Sequence, residues 1–393
     1  MSKRHLAHRM GNGKVKVADG PMPVTVKQTR HQFLFGCSEF TTLPYASGQM
    51  EGAELAETEK RFHHMTELFN SVTLPFYWGR FEPEQGKPDT DRMMNAARWA
   101  KEKGLITKGH PLCWHTVCAP WLMDMTNDKI YETQLARIRR DVAEFAGVID
   151  MWDVINEAVI MPIFDKYDNG ITRICKERGR ISLIRDLFKT ARETNPNGTF
   201  LINDFNTSES YDILIEGLLE SGVPITTIGI QSHMHQGCWS VEKTEEILER
   251  FSRFNLPLHF TEVTLVSGHI MPSHIGDLND YKEPDWPSTP EGEARQADEV
   301  GAFYDILFAH PLVESITWWS FKDGLWLGAP SGLLSLESDP KPAYQALYKR
   351  IKGDWWTGKQ ELMTDENGYV TVTGFKGEYI AVCDGKEIKF TVV

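Results

Sequence analysis

The chain has 393 residues, 41% of them hydrophobic and 11% aromatic, enough to bury the core of one large domain with a small appendage. Lys and Arg number 42 against 55 Asp and Glu, a formal charge of -13 with no basic run, which argues against nucleic acid or an anionic membrane as partner. No stretch approaches the roughly 20 apolar residues of a membrane span, and residues 1–16 carry basic side chains with no apolar stretch behind them. The chain therefore reads as soluble and without an export signal; a signal already removed would leave the same picture, so the compartment stays open.

Taken in chain order, residues 13–30 are strand-like and punctuated by glycine, with Val15-Lys-Val17 and Val24-Thr-Val26. From residue 33, short apolar runs rich in β-branched and aromatic residues alternate with amphipathic helical stretches. Eight runs can be counted: 33–39, 71–78, 106–114, 149–157, 199–206, 227–234, 257–264 and 314–321. Near-continuous apolar character is how strands buried on both faces read. Between them, Tyr131, Leu135, Ile138, Val142 and Phe145 recur at steps of four and three, the stripe of a helix lying on a sheet. No Gly-rich phosphate fingerprint follows any strand, so the pattern favours an α/β fold of the eight-stranded parallel (β/α)8 TIM barrel kind over an open doubly wound sheet. The barrel is expected to close with 314–321 and a helix around 343–351. The tail 369–393 again lacks helical periodicity. Neither end can bury a face alone, so the expected organisation is an N-terminal β segment 1–32, a catalytic barrel 33–352, and a C-terminal β segment 353–393 pairing with the first. The six cysteines, Cys37, Cys113, Cys118, Cys175, Cys238 and Cys383, are scattered without CxxC spacing and read as free thiols.

In such a barrel, polar residues at strand C-termini point into the catalytic mouth. Trp152-Asp-Val-Ile-Asn156-Glu157 ends the fourth run and His259-Phe-Thr-Glu262 the seventh, so two carboxylates converge on one mouth. Glycoside cleavage needs such a pair, one to protonate the leaving oxygen and one to attack the anomeric carbon or activate water. A single Glu at a strand end can equally serve a neighbouring Arg, so the pairing carries the inference. Other strand ends supply His110, Trp114 and His115, then Asn203-Asp-Phe-Asn206, then Gln231 and His233, then Trp318-Trp319 with Asp323 and Trp326. Imidazoles and amides bind hydroxyls while indole faces stack on pyranose rings. The cluster reads as a carbohydrate cleft. His233-Met-His235 lacks a third ligand and makes a poor zinc set; neither metal nor cofactor is expected.

These motifs, in this order, resemble glycoside hydrolase family 10, typified by endo-β-1,4-xylanases, over about residues 33–350. Gly109-His-Pro-Leu-Cys-Trp-His115 is similar to the family's GHTLxWH, and Trp152-Asp-Val-Ile-Asn-Glu-Ala158 to WDVxNEA. Phe200-Leu-Ile-Asn-Asp-Phe-Asn206 is similar to LxINDYN, Gly229-Ile-Gln-Ser-His233 to GxQSH, and Lys341-Pro-Ala-Tyr344 to KPAY. The resemblance implies a retaining hydrolase with Glu157 as acid/base and Glu262 as nucleophile. Asn156 and Gln231 would hold the sugar, His110, Trp114 and His115 would line the same subsite, His233 would bond the nucleophile, and Trp319 and Trp326 would roof it.

Two departures bear on specificity. Where the family reads AENxMKW, this chain has Leu74-Pro-Phe-Tyr-Trp-Gly-Arg80, so a polar grip on the sugar gives way to an expected aromatic surface plus Arg80. Where the family reads TELD, it has Thr261-Glu-Val-Thr264, with a Thr in place of the acid that orients the neighbouring His. The expected partner is a polysaccharide or oligosaccharide, a decorated xylan before other glycans. A different β-glycan, or a catalytically idle glycan-binding barrel, remain the alternatives, and oligomeric state is not legible.

Overall fold

A computed structural model describes residues 3–393; residues 1 and 2, the start of the N-terminal segment, lie outside the described residues. Among the described residues there are fourteen strands: β1 Met10–Lys16, β2 Pro23–His31, β3 Leu34–Ser38, β4 Ser71–Pro75, β5 Ile106–His110, β6 Met151–Asn156, β7 Thr199–Asp204, β8 Thr227–Met234, β9 Leu258–Leu265, β10 Val313–Trp318, β11 Gln360–Met363, β12 Tyr369–Phe375, β13 Gly377–Cys383 and β14 Lys386–Val392. β3 to β10 close into a parallel barrel, β10 pairing with both β3 and β9. All eight barrel runs expected from the sequence are strands, and all eight C-terminal ends open on one face.

Several strands stop short of their apolar runs. β4 ends at Pro75 and a helical turn, Trp78–Phe81, follows; β5 ends at His110. Residues past these ends stay apolar because they fold back onto the helical layer. Phe76 packs on Phe81, Phe145 and Trp152 with ring centroids 4.8–5.1 Å away. The barrel helix Asn127–Glu144 is capped by Thr126, whose side chain accepts from the Lys129 amide. Its buried face includes Gln134, Arg137 and Asp141, while Tyr131 and Leu135 are only half-buried. The buried polar side chains anchor the loop after β5: Arg137 donates to the carbonyl of Leu112 at 2.7 Å and pairs with Asp141 at 3.2 Å.

Two motif glycines are fixed by close packing. A Cβ at Gly109 would overlap the Trp152 ring, and one at Gly229 would sit 2.5 Å from the Asn203 Oδ1. The two chain ends interleave. β1 pairs antiparallel with β12, and β2 lies between β11 and β13 with β14 outermost. Val24, Val26, Val370, Val372, Tyr379, Ala381, Cys383 and Val392 form a small core between these sheets. The underside of the barrel meets them through Trp355, stacked on Phe308 at 4.2 Å, and through Arg9, which donates to the carbonyls of Phe308, His310 and Val313. All six cysteines are free, and no described helix is long and apolar enough to cross a membrane.

Candidate active site

Glu157 follows the last residue of β6 with φ of 56°. A left-handed backbone costs a non-glycine residue about 1–3 kcal/mol and persists only where the surroundings impose it. Here they do: the Glu157 amide donates to the Asn203 carbonyl at 2.8 Å. Two residues on, the Val159 amide donates to the buried Asp204 carboxylate at 2.9 Å, which also accepts from the Asn206 amide at 2.9 Å. The turn aims the Glu157 side chain off the strand and into the mouth. Glu262 reaches the same mouth from within β9, three residues before the strand's end rather than at it.

The carboxylates share one hydrogen-bonded frame. The Asn203 amide nitrogen donates to Glu262 Oε1 at 2.9 Å and to Asn156 Oδ1 at 2.8 Å, while its oxygen accepts from the Thr261 hydroxyl at 2.6 Å. Gln231 donates to the same Asn156 oxygen at 3.0 Å, and the Asn156 nitrogen reaches Glu157 Oε1 at 3.3 Å. Glu157 Oε2 accepts from the Trp114 indole at 2.9 Å, with His115 Nε2 3.8 Å away. His233 Nε2 lies 3.0 Å from Glu262 Oε2. Below, Lys108 and His110 both bind Asp153 Oδ2, at 2.8 and 2.7 Å.

Aromatic rings complete the cleft. Trp326 lies 4.4 Å from the His233 ring and Trp319 5.4 Å from His110, so both indoles pack beside the histidines of the site. Tyr77 packs between His110 and Trp114, 5.6 Å from each, and the exposed Arg80 lies 5.7 Å above its ring. The aromatic surface expected on this side is therefore largely absent. Phe76 and Trp78 are turned into the core because their neighbours there are apolar, and only Tyr77 and Arg80 face the mouth. Asp323 does not line the cleft either; it is buried against Lys341 at 2.9 Å, and Lys341 also donates to Ser267, tying the tryptophan loop to the barrel wall. Of the named site residues, His110, Trp114, His115, Asn156, Glu157, Gln231, His233, Glu262, Trp319 and Trp326 are brought together, and Arg80 stands at the edge. Asn203, Asp204, Asp153, Lys108 and Tyr77 complete the constellation. Asn203 and Asp204 stood in the Asn203-Asp-Phe-Asn206 motif, but nothing in the spacing revealed their bridging geometry. No group of three potential metal-binding side chains gathers among the described residues.

The two carboxyls are held in opposite states. Burial, assisted by the nearby Asp204 and Glu262 charges, pushes Glu157 up to about 8 against the Trp114 hydrogen bond. Burial also pushes at Glu262, but the His233 hydrogen bond, together with the nearby imidazoles and Lys108, outweighs it and leaves Glu262 below the usual range. At neutral pH the site thus presents one acid and one anion, the pair that glycosyl transfer requires. A carboxyl whose pKa is raised on folding contributes stability below its unfolded value of 4.5 that is lost as pH rises through about 8. Glu157→Gln is accordingly expected to raise the unfolding temperature relative to the parent by more at pH 8 than at pH 5. Calorimetry at the two pH values checks this; an equal shift at both would contradict the raised pKa.

The family model for glycosyl hydrolase family 10 matches residues 41–350. The chain is 26% identical over 301 residues to an endo-1,4-beta-xylanase/feruloyl esterase of Xylanibacter ruminicola, covering 70% of this chain and 40% of that protein. It is 26% identical over 313 residues to endo-1,4-beta-xylanase B of Thermotoga neapolitana, covering 75% of this chain and 84% of the relative. The chain therefore spans about two fifths of the first relative and most of the second. Among solved structures, xylanase 10B of Thermotoga petrophila in complex with xylobiose superposes with a TM-score of 0.67 at 22% identity, covering 82% of this chain and 95% of that one. A family 10 structure from Paenibacillus barcinonensis gives 0.66 at 23% identity, with 82% and 96% covered. With the family model spanning the barrel from the first βα loop to the last helix, the chain belongs to glycosyl hydrolase family 10.

Proposed function

We propose that this protein cleaves β-1,4-xylosidic bonds in xylan by double displacement, with Glu262 as nucleophile and Glu157 as acid/base. The observation that carries the reading is the opposite poise of two carboxyls in one hydrogen-bonded frame. The choice of xylan rests on family membership and on the activity named for the relatives.

In the first step a Glu262 oxygen attacks the anomeric carbon, the bond to the glycosidic oxygen breaks, and the Glu157 proton moves to that oxygen. The product is a glycosyl ester on Glu262 with Glu157 ionised. Esterification removes the Glu262 charge that had helped raise the Glu157 pKa, so Glu157 turns from acid to base at the step that needs one. It then takes a proton from water as the water oxygen attacks the same carbon and Glu262 leaves as carboxylate. Two inversions give net retention. Trp319 and Trp326 offer ring faces over the sugar, and the Asn156 amide is positioned beside the acid.

Glu262→Ala is expected to lose several orders of magnitude in rate, and azide should restore turnover with formation of an inverted glycosyl azide. Turnover close to the parent would remove Glu262 from the mechanism.

On the β4 side, Tyr77 and Arg80 replace the polar grip, which favours a chain bearing an acidic substituent there. A guanidinium–carboxylate pair at this exposed position contributes about 0.2–1 kcal/mol, so kcat/KM should be up to about fivefold higher on uronic-acid-bearing xylo-oligosaccharides than on bare ones. Arg80→Ala should erase that difference. Equal efficiency on both substrates would return the preference to unbranched xylan.

A further inference from the structure

Beyond the two carboxylates, β8 and β9 carry a second line of polar groups. Thr264 Oγ1 lies 3.5 Å from His233 Nδ1 and 3.1 Å from His235 Nδ1, so one hydroxyl touches both imidazoles. His235 is fully buried beneath Trp326, whose ring lies 5.0 Å away, and its Nε2 has no partner.

The proton positions follow from counting donors. Ionised Glu262 only accepts, so His233 Nε2 carries the hydrogen in their contact. A neutral His233 then has a bare Nδ1, which accepts the single Thr264 hydroxyl proton. Thr264, its proton spent, accepts from His235 Nδ1–H. His235 Nε2 is left as a bare lone pair, the buried nitrogen that has no partner. The opposite direction puts protons on both His233 nitrogens and an unpaired N–H on His235 Nε2. That arrangement creates a cation with no carboxylate at its Nδ1 and strands a buried donor, each costly. Burial also pushes His235 down to about 3 and keeps it neutral.

We propose that Thr264 and His235 are positioning residues forming a one-way relay, His235 to Thr264 to His233 to Glu262, that locks His233 as the neutral Nε2–H tautomer. The inference rests on the reading of Glu262 as the ionised nucleophile. A neutral donor withdraws less from a carboxylate than an imidazolium does, so Glu262 keeps more of its nucleophilic strength. The fixed positive charge near it comes from Lys108, below the site.

The test is ¹⁵N NMR of the full-length, histidine-labelled protein at pH 7, read without substrate. His233 is expected to be neutral with its proton on Nε2, and His235 neutral with its proton on Nδ1. In Thr264→Val the His233 tautomer should lose its definition and kcat fall about tenfold or more, the equivalent of one lost hydrogen bond, with KM changed less. Thr264→Ser should restore both readouts. A cationic His233 or an Nδ1–H tautomer in the parent overturns the relay, as does a folded Thr264→Val variant with parental kcat. Parental activity in Glu262→Ala with the tautomers as expected would instead overturn the nucleophile reading and leave the relay standing.

Discussion

The side-chain amide of Asn203 is the constraint on which the site depends. It has two N–H bonds and one oxygen, and all three are committed: to Glu262 of β9, to Asn156 of β6, and from Thr261 of β9. A residue of β7 thereby fixes the spacing between the strand that carries Glu157 and the strand that carries Glu262. Its orientation is not free to flip, because Glu262 can only accept. The requirement spreads outward. β8 must pass so near that position 229 has no room for a side chain, and Gln231 of the same strand completes the hold on Asn156. Amide, glycine and glutamine belong to different motifs along the chain but to one local packing problem.

Burying this many polar groups is tolerable because most of them are paired. Beneath the site, Asp153 satisfies Lys108 and His110 together. Above it, Asp204 uses its carboxylate to hold backbone amides of the turn that bears Glu157, and burial leaves that carboxyl at about 7. Asp204 thus holds the strained turn and adds its charge to the burial that raises the Glu157 pKa. Preorganisation of this kind puts the cost of orientation into the fold rather than into the reaction.

Much of the barrel was legible because buried parallel strands leave long apolar runs, and both carboxylates were legible because they stand in the C-terminal parts of such runs. What the runs could not show is which side of the wall an aromatic residue takes past a strand's end. Phe76 and Trp78 read as cleft surface, yet they complete the core against Trp152 and Trp121. Asp323 read as a sugar ligand, but its partner, Lys341, is 18 residues away and only the fold brings them together. Arg137 and Asp141 broke the apparent apolar stripe of their helix for the same reason: a polar pair can face the core when loop carbonyls await it there. Periodicity reports burial, whereas hydrogen-bond partners are set by contacts between distant segments.

The stereochemistry of the first-formed product tests the double-displacement account most directly. When a xylo-oligosaccharide is hydrolysed and the anomeric protons are followed by ¹H NMR before mutarotation, the account predicts that the β hemiacetal appears first, because two inversions restore the configuration of the cleaved bond. Initial release of the α anomer would mean a single displacement by water, and would contradict the assignment of Glu262 as a nucleophile.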